Sequence, residues 1–269
     1  MNKAIFRYEV RQRWSSVAIW AGSLAGLLLT FMALFPSFSA DMAAMNQVLD
    51  NFPPEFKAVF GLNALNLATL EGYFGFCFVF CQLCLAIQAA NYGLSMVSVE
   101  EADLTADFLL TRPLSRPTIL TSKLLATLTS LLVTQIIFWV VSLASIVLFK
   151  GEAQYESRGI MLLLGSGLIF QLIFFSLGLV ISQMVRRMHS VTPWSLGLAF
   201  GTYVISAFSG ILGDVKLEYL SPFKHFDPGK IIRDLQYDTR LVILDVVIVI
   251  VAIGVSYWLY QKRDIASPS

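Results

Sequence analysis

Apolar residues along this chain gather into six long runs, about Ser16–Phe35, Tyr73–Val97, Leu124–Phe149, Gly159–Val185, Thr192–Leu212 and Leu241–Tyr260. A helix rising about 1.5 Å per residue needs about 20 largely apolar residues to cross the hydrocarbon layer, and each run is that long. Together they take about half the chain and leave connecting segments too short for a soluble enzyme domain. Pro36 is expected to stop the first run, and Pro193 stands where the fifth begins. The first run outlasts the apolar stretch of a signal peptide and lacks a small-x-small cleavage site, so it reads as a retained anchor.

Composition narrows the class. Of the 269 residues, 57% are hydrophobic and 14% charged, against about 25% charged in a soluble domain. So few charges cannot cover a water-facing surface, which excludes an ATPase lobe, a zinc-ribbon framework and a disordered tail. The 19 basic and 18 acidic residues nearly cancel, so no net field recruits nucleic acid. The expected fold is an all-α polytopic membrane protein: six transmembrane helices, an N-terminal amphipathic interfacial helix and short external helices, in one transmembrane domain over 1–269.

Charge then orients the spans. Eleven of the 19 Lys and Arg residues fall in the N-terminal segment, the loops after the second and fourth spans, and the tail. With six spans these regions share one side, so both termini are expected in the cytoplasm of a cell inner or plasma membrane. The segment from Asp214 to Arg240 weakens the bias with five bases, but it holds five acids too.

In residues 1–14, Lys3, Arg7 and Arg11 recur on one helical face, and Phe6, Val10 and Trp14 on another. That pattern predicts a helix lying in the headgroup layer of the bilayer with its cations on anionic lipid. The apolar loop Ser37–Gly72 is expected to form short helices on the outer surface, over Ala40–Leu49 and again from Pro53-Pro54 through Phe56 and Phe60. A second such segment, Asp214–Arg240, carries Tyr219, Leu220, Phe223 and Phe226 as anchors.

The most informative loop is 98–122. Ser98 and Glu101 have capping-box spacing, and Glu100, Glu101 and Asp103 fill a first helical turn. Leu104 and Phe108 then form an apolar pair, Arg112-Pro113 breaks the helix, and Ser115-Arg116-Pro117 starts the next. The prediction is a cytoplasmic helical hairpin with an exposed apolar ridge and charged flanks, a surface suited to a protein partner.

The stretch Glu100–Leu125, with its Glu-Glu opening, Leu-Leu-Thr-Arg-Pro, Ser115-Arg116 and Ile119-Leu120…Lys123-Leu124, resembles the first cytoplasmic loop of ABC-2-type transporter permeases. Tyr219-Leu220-Ser221-Pro222-Phe223 is similar to that family as well, and the six-span layout agrees over essentially the whole chain. One departure is Asp103-Leu104-Thr105-Ala106-Asp107, where family members often carry Gly-Thr-Leu. The resemblance implies the permease half of an ABC exporter, paired with a second permease subunit in a homo- or heterodimer and driven by a separate ABC ATPase subunit. It implies a coupling role for Glu100, Glu101, Asp103, Leu104, Phe108, Arg112 and Arg116. The residues themselves support the division of labour: no G-x-x-x-x-G-K-[ST] loop occurs, so ATP and Mg are expected in the partner, and no cofactor or enzymatic activity in this chain.

Among the remaining polar groups, Gln82, Gln88, Asn91, Gln135 and Gln171, with Gln183, lie inside spans as candidates for a pathway or for inter-helix hydrogen bonds. Asp245 sits about one turn inside the last span and is expected to snorkel outward. Gly22-x-x-x-Gly26 and Gly197-x-x-x-Gly201 have the spacing for close helix approach. Cys77, Cys81 and Cys84 share one helix face but lie near no His, so they read as packing residues rather than a metal site. His189 and His225 lie outside the spans, away from any intramembrane nucleophile. A secondary transporter or channel without an ATPase partner is the second reading, and it calls for charged groups at mid-membrane and two related halves.

Overall fold

The computed structural model describes residues 2–40, 51–53, 57, 62, 65–102, 115–185, 188, 190–212 and 215–262. Its helices are α1 (Lys3–Ala40), α2 (Leu70–Ala102), α3 (Arg116–Phe149), α4 (Ser157–Met184), α5 (Thr192–Leu212), α6 (Val215–Glu218), α7 (Pro222–His225), α8 (Pro228–Asp234) and α9 (Thr239–Lys262). There is no strand among the described residues. Helices α1 to α5 and α9 are each long and apolar enough to cross a membrane, and they correspond one for one to the six apolar runs.

Helix α1 is continuous over 38 residues, about 57 Å against a hydrocarbon layer of about 30 Å. The segment expected as a separate interfacial helix is helical, yet it runs into the span without a break, because neither Gly nor Pro interrupts Trp14–Ala21. Asn2 starts it, its Oδ1 accepting from the backbone N–H groups of Ala4 (2.9 Å) and Ile5 (3.3 Å). Pro36 does not stop this helix, contrary to expectation; it lies inside it. A proline is tolerated in a membrane helix where neighbours satisfy the backbone groups it frees. The carbonyl that Pro36 frees is that of Met32; next to it, the Phe31 carbonyl accepts from the Tyr73 hydroxyl (2.8 Å), which holds α2 against this stretch of α1.

The core lies between α2 and α4. Phe74, Phe78, Leu85 and Ala89 of α2 are fully buried, as are Phe170, Phe174 and Leu179 of α4. Two glycines let these backbones meet: a Cβ on Gly93 would stand 2.1 Å from the Phe175 carbonyl oxygen, and one on Gly178 would stand 2.7 Å from that of Ala90. The spacing motifs singled out in the sequence do not do this. Gly22, Gly26, Gly197 and Gly201 have open space where a Cβ would go. Along α3, Thr127, Ser130, Thr134 and Ser142 return their hydroxyls to carbonyls one turn back, which hides those groups inside an apolar bundle.

The connection between α5 and α9 was expected on the membrane surface. Instead it folds back into the bundle. Phe223 stacks edge-on against Phe170, Phe174 and Tyr203 at 5.1–5.7 Å between ring centroids, and Phe226 is fully buried. Gln82, about 18 Å along α2 from Leu70, donates to the Phe226 carbonyl (2.9 Å). Asp227-Pro228-Gly229 then restarts helix: Asp227 Oδ1 accepts from the N–H groups of Gly229 (2.9 Å) and Lys230 (3.3 Å). Leu235 ends α8 with φ 50°, and Tyr237 ties the return to α4 through the Leu162 carbonyl. Only Tyr219 and Leu220 of the four expected anchors are exposed. Aromatic burial against three helices outweighs what a surface position offers Phe223 and Phe226.

Ala40 closes α1, while the rest of the expected helix Ala40–Leu49, together with Phe56 and Phe60, lies outside the described residues.

Candidate functional site

Helix α2 ends at Ala102 and α3 begins at Arg116, at the end of the bundle where α1 starts and α9 finishes. Asp103, Leu104, Phe108 and Arg112 fall between them in the sequence, outside the described residues, and Arg186, Arg187 and His189 lie outside them too. Ser98 does not start a helix. It continues α2, and Glu100 and Glu101 belong to its last turns; without Pro or Gly after Gly93, nothing in this stretch breaks the span's helix. Ser115 is extended and precedes Pro117 at the first turn of α3, with its hydroxyl 2.8 Å from that of Thr118.

Beneath these two helix ends sits a buried ionic cluster that joins α1, α2 and α3. Lys123 Nζ lies 3.2 Å from Glu9 Oε1, and their side chains are only 4% and 8% exposed. Glu9 Oε2 also meets Arg13 at 3.5 Å. Lys123 donates a second bond to the Met96 carbonyl (3.1 Å), and Arg13 reaches Ser95 Oγ (3.5 Å) while its guanidinium lies 5.4 Å from the Tyr92 ring centroid. The Tyr92 hydroxyl meets Ser16 (3.1 Å), and the Asn2 backbone N–H donates to Ser122 Oγ (2.7 Å). Every charge taken out of water here has an opposite charge or a carbonyl beside it, the condition for burying ions.

In the sequence Arg13 counts only as an orienting charge, Lys123 as an orienting charge within the family-like stretch, and Glu9 goes unremarked. A signal was present: Glu9 is the one acid in residues 1–40, four residues before Arg13 and set among bases. The other bases of that segment behave differently. Lys3, Arg7 and Arg11 are exposed, Phe6 and Val10 are half-buried, and Trp14 stands outward at 59% exposure. Arg116 reaches across to α9, where its guanidinium donates to the Gln261 carbonyl (2.9 Å) and satisfies a helix C-terminus.

Deeper in the bundle the glutamines bond between helices. Gln88 of α2 donates to Thr134 of α3 (2.9 Å) and accepts from Gln171 of α4 (3.2 Å). Gln135 and Trp139 of α3 both donate to the Leu164 carbonyl, at 3.0 and 2.9 Å. Asn91 is half-buried on α2, whereas Cys77 and Cys81 sit in its apolar face. Near the opposite end of the bundle, Asp245 does not snorkel. It is fully buried, with Oδ1 2.7 Å from His225 Nδ1, because α7 brings an imidazole to a carboxylate that the bundle keeps from water.

Among the described residues there is no cluster of three metal-ligating side chains. What the site offers is a buried ionic joint between α1 and α3 that also bonds α2. The family model described as "ABC-2 family transporter protein" matches residues 3–265. No curated protein matches the chain.

Proposed function

Since this chain belongs to the ABC-2 family of transporter proteins, and is thus a membrane transport permease, we propose that it is the membrane-spanning subunit of an ABC exporter whose ATP is hydrolysed by a separate ATPase subunit. That partner, holding ATP and Mg, docks on the segment that joins α2 to α3, with Leu104 and Phe108 as its apolar ridge. Glu100, Glu101, Asp103, Arg112 and Arg116 surround the ridge. A second permease subunit, identical or not, completes the pathway in a cell inner or plasma membrane. Both termini and the docking segment lie in the cytoplasm, with Lys3, Arg7 and Arg11 exposed toward the anionic lipid surface.

The observation that carries this reading is the cluster of Glu9, Arg13 and Lys123. A loop that passes force from an ATPase to spans needs ends that do not fray. Here, about two helical turns below the ends of the loop, buried charge binds α1 to α3 and hydrogen bonds add α2, so a push on the loop moves α1, α2 and α3 together.

The test is co-purification of the ATPase subunit with membrane-inserted, monodisperse Phe108→Asp permease. Burying a Phe or Leu side chain contributes about 1.5–3 kcal/mol, and a buried unpaired carboxylate costs several more. At about 1.4 kcal/mol per tenfold, docking should weaken about a hundredfold or more. Full retention of the partner refutes the docking role. A drop in folding yield would instead place Leu104 and Phe108 against this chain's own helix ends, and a tag at Thr111 reporting the external side would overturn the orientation.

A further inference from the structure

Besides the packing of Phe223 and Phe226, polar bonds dock the segment between α5 and α9 in the bundle. Ser221 Oγ donates to the Thr202 carbonyl of α5 (2.7 Å), Gln82 of α2 donates to the Phe226 carbonyl (2.9 Å), and His225 meets Asp245 of α9 (2.7 Å). The first two bonds are between neutral groups and hold at any ordinary pH. The third joins two titratable side chains that are 1% and 0% exposed. Its outer atoms, His225 Nε2 and Asp245 Oδ2, are buried with no hydrogen-bond partner.

With the imidazole neutral and the carboxylate ionised, a net negative charge sits in the bundle facing one neutral N–H donor. One further proton brings the pair to zero, whichever atom carries it, and removes an uncompensated buried charge.

The cations of the segment are matched elsewhere: Lys224 with Asp227 (3.4 Å), Lys230 with Glu218 (3.3 Å) and Arg233 with Asp234 (2.8 Å). Of the helices packed around the pair, α3 carries no titratable group between Lys123 and Phe149, and α4 none after Arg158. Helix α5 brings Tyr203, and α2 brings Glu71, Tyr73 and the thiols of Cys77, Cys81 and Cys84 on its stretch before Gln88. Asp238 and Arg240 stand at the exposed start of α9, and burial raises the Tyr237 hydroxyl, which stays a neutral donor.

We propose that His225 and Asp245 form a proton-binding site, and that the bound proton latches residues 221–235 into the bundle. Above about pH 6.5 the freed imidazole does not keep that proton, so opening returns it to water and the docked segment holds one proton more than the undocked one. Docking is therefore strongest between about pH 4 and about pH 6.5 and weakens as pH rises from about 6.5 upward. This goes beyond the transport reading and does not depend on the ATPase partner.

Hydrogen–deuterium exchange of residues 221–235 in the full chain, in lipid nanodiscs from about pH 4 to about pH 9 and corrected for intrinsic rates, reads the latch directly. In the wild type, opening should rise with pH above about 6.5, by at most about tenfold per unit for one proton. Asp245→Asn removes the charge and should flatten that dependence. His225→Gln leaves a lone buried carboxyl and should move the loss of protection down toward the carboxylate range, about pH 4 to 5. If Asp245→Asn does not fold, the His225→Gln profile decides alone. A flat wild-type profile, an unchanged slope in Asp245→Asn, or an unmoved profile in His225→Gln overturns the proposal.

Discussion

Lys123, in the second turn of α3, is bound to Glu9, near the start of α1, at 3.2 Å in a site closed to water. The pair holds the head of the third span against the segment that precedes the first. Arg13 extends it to α2, so the three helices share one electrostatic joint at the end from which the connecting segment 103–114 departs.

Removing one member of that joint should cost far more than an exposed pair would. Breaking a buried pair leaves a charge unmatched and costs about 3–5 kcal/mol, whereas exposed pairs contribute about 0–1 kcal/mol. Glu9→Gln should therefore lower the thermal stability of the solubilised permease strongly. Lys123→Met in the same chain should recover much of the loss by removing the orphaned charge. Tryptophan-fluorescence melting of both variants checks this; a double variant no more stable than Glu9→Gln would discard the joint.

The meeting of α2 and α4 at Gly93 predicts an asymmetry among glycines. Gly93→Ala drives a methyl to 2.1 Å from the Phe175 carbonyl, contact that only a shift of backbone relieves, so it should destabilise by about 1–3 kcal/mol or more. Gly197→Ala meets nothing within 4 Å and should leave the monomer unchanged or gain up to about 1 kcal/mol from helix propensity. Unfolding midpoints in mixed detergent should separate the two variants clearly. Equal midpoints would mean that α2 and α4 do not approach as closely as described.

Gln88 sits at the centre of a chain of bonds from Thr134 to Gln171. As an inter-helix tie, Gln88→Leu should cost about 0.6 kcal/mol and at most about 1.7 kcal/mol, the range for polar contacts between membrane helices. Transport should fall only in proportion to folded protein. If the variant keeps wild-type stability yet changes transport, Gln88 lines a pathway instead.

Much of the fold is legible one segment at a time. Each span is a run of apolar residues long enough to cross, and the requirement that its backbone satisfy itself makes it a helix; Ser16–Phe35 and Leu241–Tyr260 need nothing else. The family likeness is legible in the same local way, in Glu100–Leu125. Helix ends were less so: Pro36 and Ser98 look like boundaries, but neighbouring helices and the absence of a real breaker carry α1 and α2 past them.

Pairing across the chain is another matter. Nothing in the run around Glu9 says that Lys123 will lie beside it, and nothing near Asp245 names His225. Local pattern assigns a residue to a face of its own helix, but not the helix that face will meet. When apolar residues surround every span, periodicity does not even choose the face. Hydropathy thus set the number, length and helical state of the spans, because those depend on each segment's transfer into an apolar solvent. Tertiary packing alone decided which glycines touch, which charges are buried and how deep Phe223 and Phe226 fold back, because those energies exist only when two distant segments arrive together.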